Sequence, residues 1–464
     1  MNKDHWWHLA KRFIIGILAL IGLYSLSRLQ PISDLLARLD GFFNTPSMRS
    51  SITQAQIKRG QDYWSPKGLR KMAPKAPGLW RVSDNQQDWS DGPELAAILY
   101  NAAEMDVVEI SPGTYKLDKL VINHPILIKG TGPRPKDVVI EISQKSEIDL
   151  FRAKIKKVEF QGLTIKAVGQ TFYNDAFLTI KDAEVGLYKT SFLSSGHQFF
   201  ASLSRNSKLV GRECEFSSGD QFDTLFLEGK SQLDLDNCHF KDHKVAVGTH
   251  VNNFEGNISI SNSDIVNSRA HGLMIYGGNL KLENVEFHHG QGGVYLGNKA
   301  KATLTSIIFD GLTINGMEIS DGASAQLNDV SITAEHTAIL ALGAGSTISG
   351  QEVTLLGGQR GLHLRQGAVG TLSQSTLQAA TISGITLERQ STLTLEETNF
   401  ELTTGNCIEA KDSVATLRTV TMAGCLFGLN LNQNCLIKHK QLTFKNNKEK
   451  IHNNFNSSKV QELP

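Results

Sequence analysis

The stretch HGLMIYGGNLKLENVEFHHGQGGVYL, residues 271–296, holds one full period of this chain and the opening of the next. It begins with a short apolar strand behind a glycine, HGLMI (271–275), and ends on a second one, GGVYL (292–296). Between them lies NVEF, closing on Phe287. Apolar and polar residues alternate within each piece, the period-two pattern of strands with one buried face.

Outward from this stretch the pieces recur in register. The NVEF unit is matched by YKTSF ending at 192, ECEF at 216, NCHF at 240, NSDI at 265, SIIF at 309 and so on to QLTF at 444, with intervals of 22–25 residues. The second strand returns as NGMEI (315–319), RGLHL (360–364), SGITL (383–387) and FGLNL (427–431). No 3.6-residue period is present, which excludes a helical solenoid. Two or three short strands per repeat predict an all-β fold, a single-stranded right-handed parallel β-helix. Its coils would stack at ~4.8 Å, so a dozen make a rod roughly 60 Å long. Phe192, Phe216 and Phe240 are expected to stack inside it, as are Phe287 and Phe309. Asn237, Asn262 and Asn284, each three residues before an anchor, predict an asparagine ladder in a tight turn. The glycine opening each second strand is expected to supply a positive φ.

The front of the rod is distinctive. PELAAILYNAAE (93–104) reads as an amphipathic helix with proline in its first turn, placed to cap the open end. VVEISPGTY, VINHPILIKGTG and VVIEI follow within 106–142. This order resembles the opening of the pectin-lyase-like superfamily of β-helices, and the resemblance extends over about 93–445. That superfamily includes lyases, hydrolases, epimerases and proteins without known chemistry, so the resemblance implies a fold rather than one activity.

The chain has 464 residues, with 47 basic against 46 acidic side chains. This balance gives no support for nucleic acid as a partner. Five cysteines exclude a disulfide-rich scaffold. Cys214 and Cys238 align two residues before stacked phenylalanines and read as a buried apolar pair, whereas Cys407, Cys425 and Cys435 show no ligand spacing. At the amino terminus, Lys11-Arg12 precede the apolar run FIIGILALIGLYSL (13–26). This predicts a cytoplasmic tail and transmembrane signal anchor over 1–28, single-pass in the inner membrane, with the bulk of the chain in the periplasm. A cleaved signal would instead leave the protein exported. Residues 29–90 read as an amphipathic helix (31–43) and linker, 91–445 as the β-helix, and the basic, Asn-rich 446–464 as a disordered tail.

Stacking makes residues one coil apart into neighbours. Aligning QFDTLFL (221–227), KDHKVAV (241–247) and RAHGLMI (269–275) puts Asp223, His243 and His271 in one column, with Asp220 and Asp242 beside it. Residues 213–242 carry eight acids against two lysines. The column is similar to the polygalacturonase pattern of Asn-Thr-Asp, Asp-Asp and His-Gly on successive coils. Asp223 matches the first acid, Asp242 the first of the pair, and His271-Gly272 the third motif. The sequence departs from it where His243 replaces an acid, Gln221-Phe222 replace Asn-Thr, and GGVYLG (292–297) lacks Arg-x-Lys.

Asp223, Asp242, His243 and His271 are accordingly the candidate catalytic residues for acid–base work on a glycoside. Asp220, Arg269, His288 and His289 are the candidate substrate-binding residues. No metal site or cofactor is expected, except calcium if the chemistry is that of a lyase, for which Arg269 is the nearest base. Two function classes stand side by side: a membrane-tethered enzyme acting on an envelope or extracellular polysaccharide (glycosidase, lyase or epimerase), and a non-catalytic rod that guides glycan or scaffolds its assembly. For the second, the column is a turn ladder, because Asp, Asn and His are the side chains that best tolerate tight turns.

Overall fold

The computed structural model describes residues 78–82 and 91–464, apart from 152, 154–155, 169–175, 195–198, 220–222 and 402. The predicted anchor, the amphipathic helix at 31–43 and the candidate Asp220 lie outside these residues. Among those described, no helix is long and apolar enough to cross a membrane.

The chain winds as a right-handed parallel β-helix with three strands per coil, and each strand pairs in parallel with its counterparts in the coils before and after. One column of inward residues runs Phe192, Phe216, Phe240, Ile265, Phe287, Phe309. A second runs Leu178, Ala201, Leu225, Val247, Leu273, Val294. A third runs Val185, Leu209, Leu233, Ile258, Leu280, Ala302. Alternate residues along each strand face the core, so none of the three strands could bury its apolar side without the coils above and below it. The aromatic stack is continuous where it was expected: the rings of Phe216 and Phe240 lie 4.7 Å apart at 13°, and those of Phe287 and Phe309 4.6 Å apart at 19°. The helix Asp91–Asn101 adds Leu95, Ile98 and Leu99 to the same core.

The turn after the third strand is the asparagine ladder. Asn237, Asn262 and Asn284 hold φ of 53°, 48° and 54°, and Asn284 Nδ2 donates to Asn262 Oδ1 at 2.9 Å. The same left-handed position continues through Ser306, Asp329, Glu352, Gln374, Glu397 and Thr419 to Gln441.

Two expectations need correction, and one cysteine pair goes beyond the sequence reading. The glycines opening the second strand do not have positive φ; they make room for the core instead. A β-carbon on Gly272 would lie 2.8 Å from the Phe287 ring, and one on Gly293 or Gly428 2.4 Å from Phe309 or Phe444. The tail is not disordered. Glu449–Asn453 and Lys459–Glu462 pair with Phe427–Leu431 and Leu436–Lys445, because Ile451 and Val460, though partly exposed, keep the coil spacing of Leu429 and Ile437. Finally, Cys407 and Cys425 form a disulfide with Cα atoms 5.6 Å apart. Cys214 and Cys238 are buried free thiols, as read from the sequence.

Candidate functional site

The register separates the residues that the sequence alignment had placed in one column. Leu225 pairs with Val247 and Val247 with Leu273, so counting back two residues lines up Asp223, Val245 and His271. Asp223 and His271 share a column two coils apart, about 10 Å by strand spacing. His243 does not belong to it. It ends the preceding strand, pairs with Gly219 and Ser268, and is fully buried. Its Nε2 meets Ser268 Oγ at 2.8 Å, its Nδ1 has no partner, and burial lowers its pKa to about 4. His243 is a neutral core residue.

Asp242 and His289 are turn residues. Both are left-handed, with φ of 51° and 52°, in a column completed by Asn267 and Gly311. Asn267 Nδ2 donates to Asp242 Oδ1 at 2.8 Å. His288 lies on the outer face of the anchor strand against Glu286 (2.9 Å), and Arg269 is exposed in the turn before His271. Of the acids of 213–242, Asp234, Asp236 and Glu213 belong to the third strand and the turn after it, not to the second strand of Asp223: Asp234 pairs with Arg212, Asp236 accepts from Asn262, and Glu213 faces Lys189. No group of three potential metal ligands gathers among the described residues.

Asp223 and His271 remain on the outer face of the second strand. Asp223 is mostly buried, and its Oδ1 has no hydrogen-bond partner; Lys244 Nζ stands 3.9 Å away. Desolvation raises its pKa to about 6 against the weaker pull of Lys244. Burial also lowers the His271 pKa, keeping the ring neutral.

A platform of rings surrounds His271. Its centroid lies 5.8 Å from Tyr295, and Tyr295 lies 5.1 Å from Tyr276. Two glycines leave space for them. A β-carbon on Gly292 would come 2.5 Å from His271 Cδ2, and one on Gly297 would come 2.9 Å from Tyr295 Cε1 and 3.1 Å from Tyr276 Cδ1. Tyr295 Oη is fixed by Ser320 Oγ at 2.8 Å.

Followed further along the rod, the column of His271 continues as Gly292, Asn315, Thr337 and Arg360. It enters a pocket of about 470 Å³ that sequence reasoning missed, lined by Asn315, Thr337, Arg360, His363, Arg365 and Glu388 among others. Arg365 Nε lies 3.1 Å and His363 Nε2 3.5 Å from the same Glu388 oxygen. Desolvation brings the His363 pKa to about 4, with Glu388 opposing and the two arginines reinforcing that shift. The ring is therefore neutral, and its contact with Glu388 is not an ion pair. Glu318, one register step from Tyr295, has its pKa raised by burial and accepts from Asn315 Nδ2 at 3.4 Å. The only trace of this pocket in the sequence is the pair of arginines and the histidine that interrupt the apolar run in RGLHLR (360–365).

Comparison with known proteins bears on the fold. The family described as "Right handed beta helix region" matches residues 179–332 and 292–449. Among solved structures, the catalytic unit of the GH87 α-1,3-glucanase from Streptomyces thermodiastaticus superposes with a TM-score of 0.50 at 12% identity, over 86% of this chain and 70% of that one. The A-module of the mannuronan C-5 epimerase of Azotobacter vinelandii superposes with a TM-score of 0.44 at 12% identity, over 80% of this chain and 96% of that one. No curated protein matches the chain. With the family's pattern spanning more than half of its length, the chain belongs to the right-handed β-helix family.

Proposed function

We propose that this protein binds an extended polysaccharide along the outer face of its second-strand column. The observation that carries this reading is the ring platform of Tyr276, Tyr295 and His271, set in line with the pocket of Arg360 and His363. Rings offer apolar faces to sugar C–H surfaces, and the polar line beside them offers donors and acceptors to hydroxyls; sites that bind carbohydrate-sized ligands combine the two. Tyr295 and His363 are three coils apart, about 14 Å, a length that suits a chain of sugars rather than one. The glucanase of the same fold acts, by its name, on a polysaccharide. Calorimetry with a panel of acidic and neutral glycans tests the reading: Tyr295→Ala should weaken binding at least tenfold with the melting temperature held. Undiminished affinity in that variant would remove the platform from the site.

A second reading, acid–base catalysis, rests on Asp223, whose pKa of about 6 suits proton transfer near neutrality. Hydrolysis by two carboxylates has less support, because Asp242 is committed to the turn. Asp223→Asn should abolish turnover of a bound glycan if this reading holds and leave product release unchanged if it does not.

We further propose that residues 1–28 anchor the chain in the inner membrane with the rod in the periplasm. The Cys407–Cys425 disulfide supports export, since such bonds persist in oxidising compartments. A reporter fused at residue 60 should be active only outside the cytoplasm; cytoplasmic activity would overturn the topology.

A further inference from the structure

We propose that the pocket beside Arg360 is a subsite for the carboxylate of an acidic sugar unit, an inference that rests on the glycan reading and deepens it. The charges in the pocket are unevenly matched. Arg365 is neutralised by Glu388 at 3.1 Å. Arg360 begins the same strand, Arg360–Arg365, some five residues away, or roughly 16 Å along the backbone. It has no ion-pair partner among the described residues, and its Nε is buried without a hydrogen-bond acceptor. A guanidinium so placed is a planar donor set that matches a carboxylate in two-pronged fashion.

The surroundings favour an anion over a hydroxyl. His363 stands on the same strand, and as a neutral ring it can donate one N–H without adding a competing charge. Thr337, in register with Arg360, brings its hydroxyl to the pocket wall, and His336 bonds to that hydroxyl at 3.1 Å. Of the two acids nearby, Glu388 is paired with Arg365, and Glu318 is held by Asn315 outside the lining. One cation is left over, beside an outward column that runs to the ring platform. A polymer lying on the rings would therefore present its third or fourth unit to Arg360, and a carboxylate there would replace the missing partner.

The test uses the full chain and two ligands of equal length and linkage: an oligouronate and the same oligomer with its carboxyls reduced to alcohols. The acidic oligomer should bind at least tenfold more tightly, and its affinity should fall with added salt while that of the neutral one does not. Arg360→Gln should remove the difference, and Arg360→Lys should restore part of it. Equal affinity for both oligomers in the wild type, insensitive to salt, would overturn the subsite while leaving the platform standing. Tyr295→Ala, by contrast, should weaken both ligands alike, so failure of the subsite and failure of the glycan reading give different patterns. Because the salt comparison uses the unmutated protein, it decides the matter even if the arginine variants do not fold.

Discussion

The imidazole of His271 occupies the space that a β-carbon on Gly292 would fill, and the two residues are partners in adjacent coils. The glycine is thus part of the ring platform although it contributes no side chain. Gly292→Ala would place a methyl 2.5 Å from Cδ2, displacing the ring and, through it, Tyr295. Its backbone has no positive φ, so the strain falls on the histidine rotamer, about 1 kcal/mol, or roughly a fivefold loss of glycan affinity. Calorimetric titration should show that loss, with melting changed by only a few degrees.

Asp223 is expected to destabilise the rod at neutral pH. Its folded pKa of about 6 exceeds the ordinary 3.8, so stability is fully present below 3.8 and lost as pH rises through 6. Asp223→Asn removes that charge. The variant should melt higher than the wild type at pH 7.5, by the equivalent of about 1–3 kcal/mol, with the gap closing towards pH 4. A constant gap across that range would mean that the carboxylate is solvated.

His243 acts in the opposite sense. Its folded pKa of about 4 lies below the usual 6.5, so the unfolded chain takes up a proton that the native core refuses. Stability is full above pH 6.5 and declines as pH falls to 4, by about 3 kcal/mol. Denaturant titrations at pH 7 and 4.5 should show a shallower decline in His243→Gln than in the wild type.

Reduction of the Cys407–Cys425 bond frees a loop spanning 18 residues of sequence. The lost constraint on the unfolded chain is about 3 kcal/mol. The double variant Cys407→Ser/Cys425→Ser should melt several degrees lower than the oxidised wild type, and reductant should have no further effect on it.

The rod itself was legible because its period is enforced by the core. Phe240, Ile265 and Phe287 must stack, so the residues between them are counted out by geometry. The site was only partly legible. Asp223 and His271 were paired correctly, but His243 was placed beside them by an alignment two residues out of step. The slip lies in the turn between His243 and Val247, where no apolar alternation marks the register. The pocket was hidden for a different reason: Arg360 and Glu388 are 28 positions apart, and neither forms a motif until coils are stacked. The last coil is hidden in the sequence because lysines and asparagines surround Ile451 and Val460, the apolar positions that keep the spacing.

Parallel pairing between successive coils has a further consequence, for biosynthesis. Phe216 meets Phe240 after 24 residues, and Leu429 meets Ile451 after 22, although these pairs lie far apart along the chain. In most β folds the strands that must find each other are separated by distances that grow with the length of the domain, and folding slows accordingly. Here the search distance is fixed. Each newly delivered segment has its template already formed behind it, and the nucleus need be built only once. A chain emerging amino terminus first, from a ribosome or through a membrane, can wind up at the rate at which it is supplied.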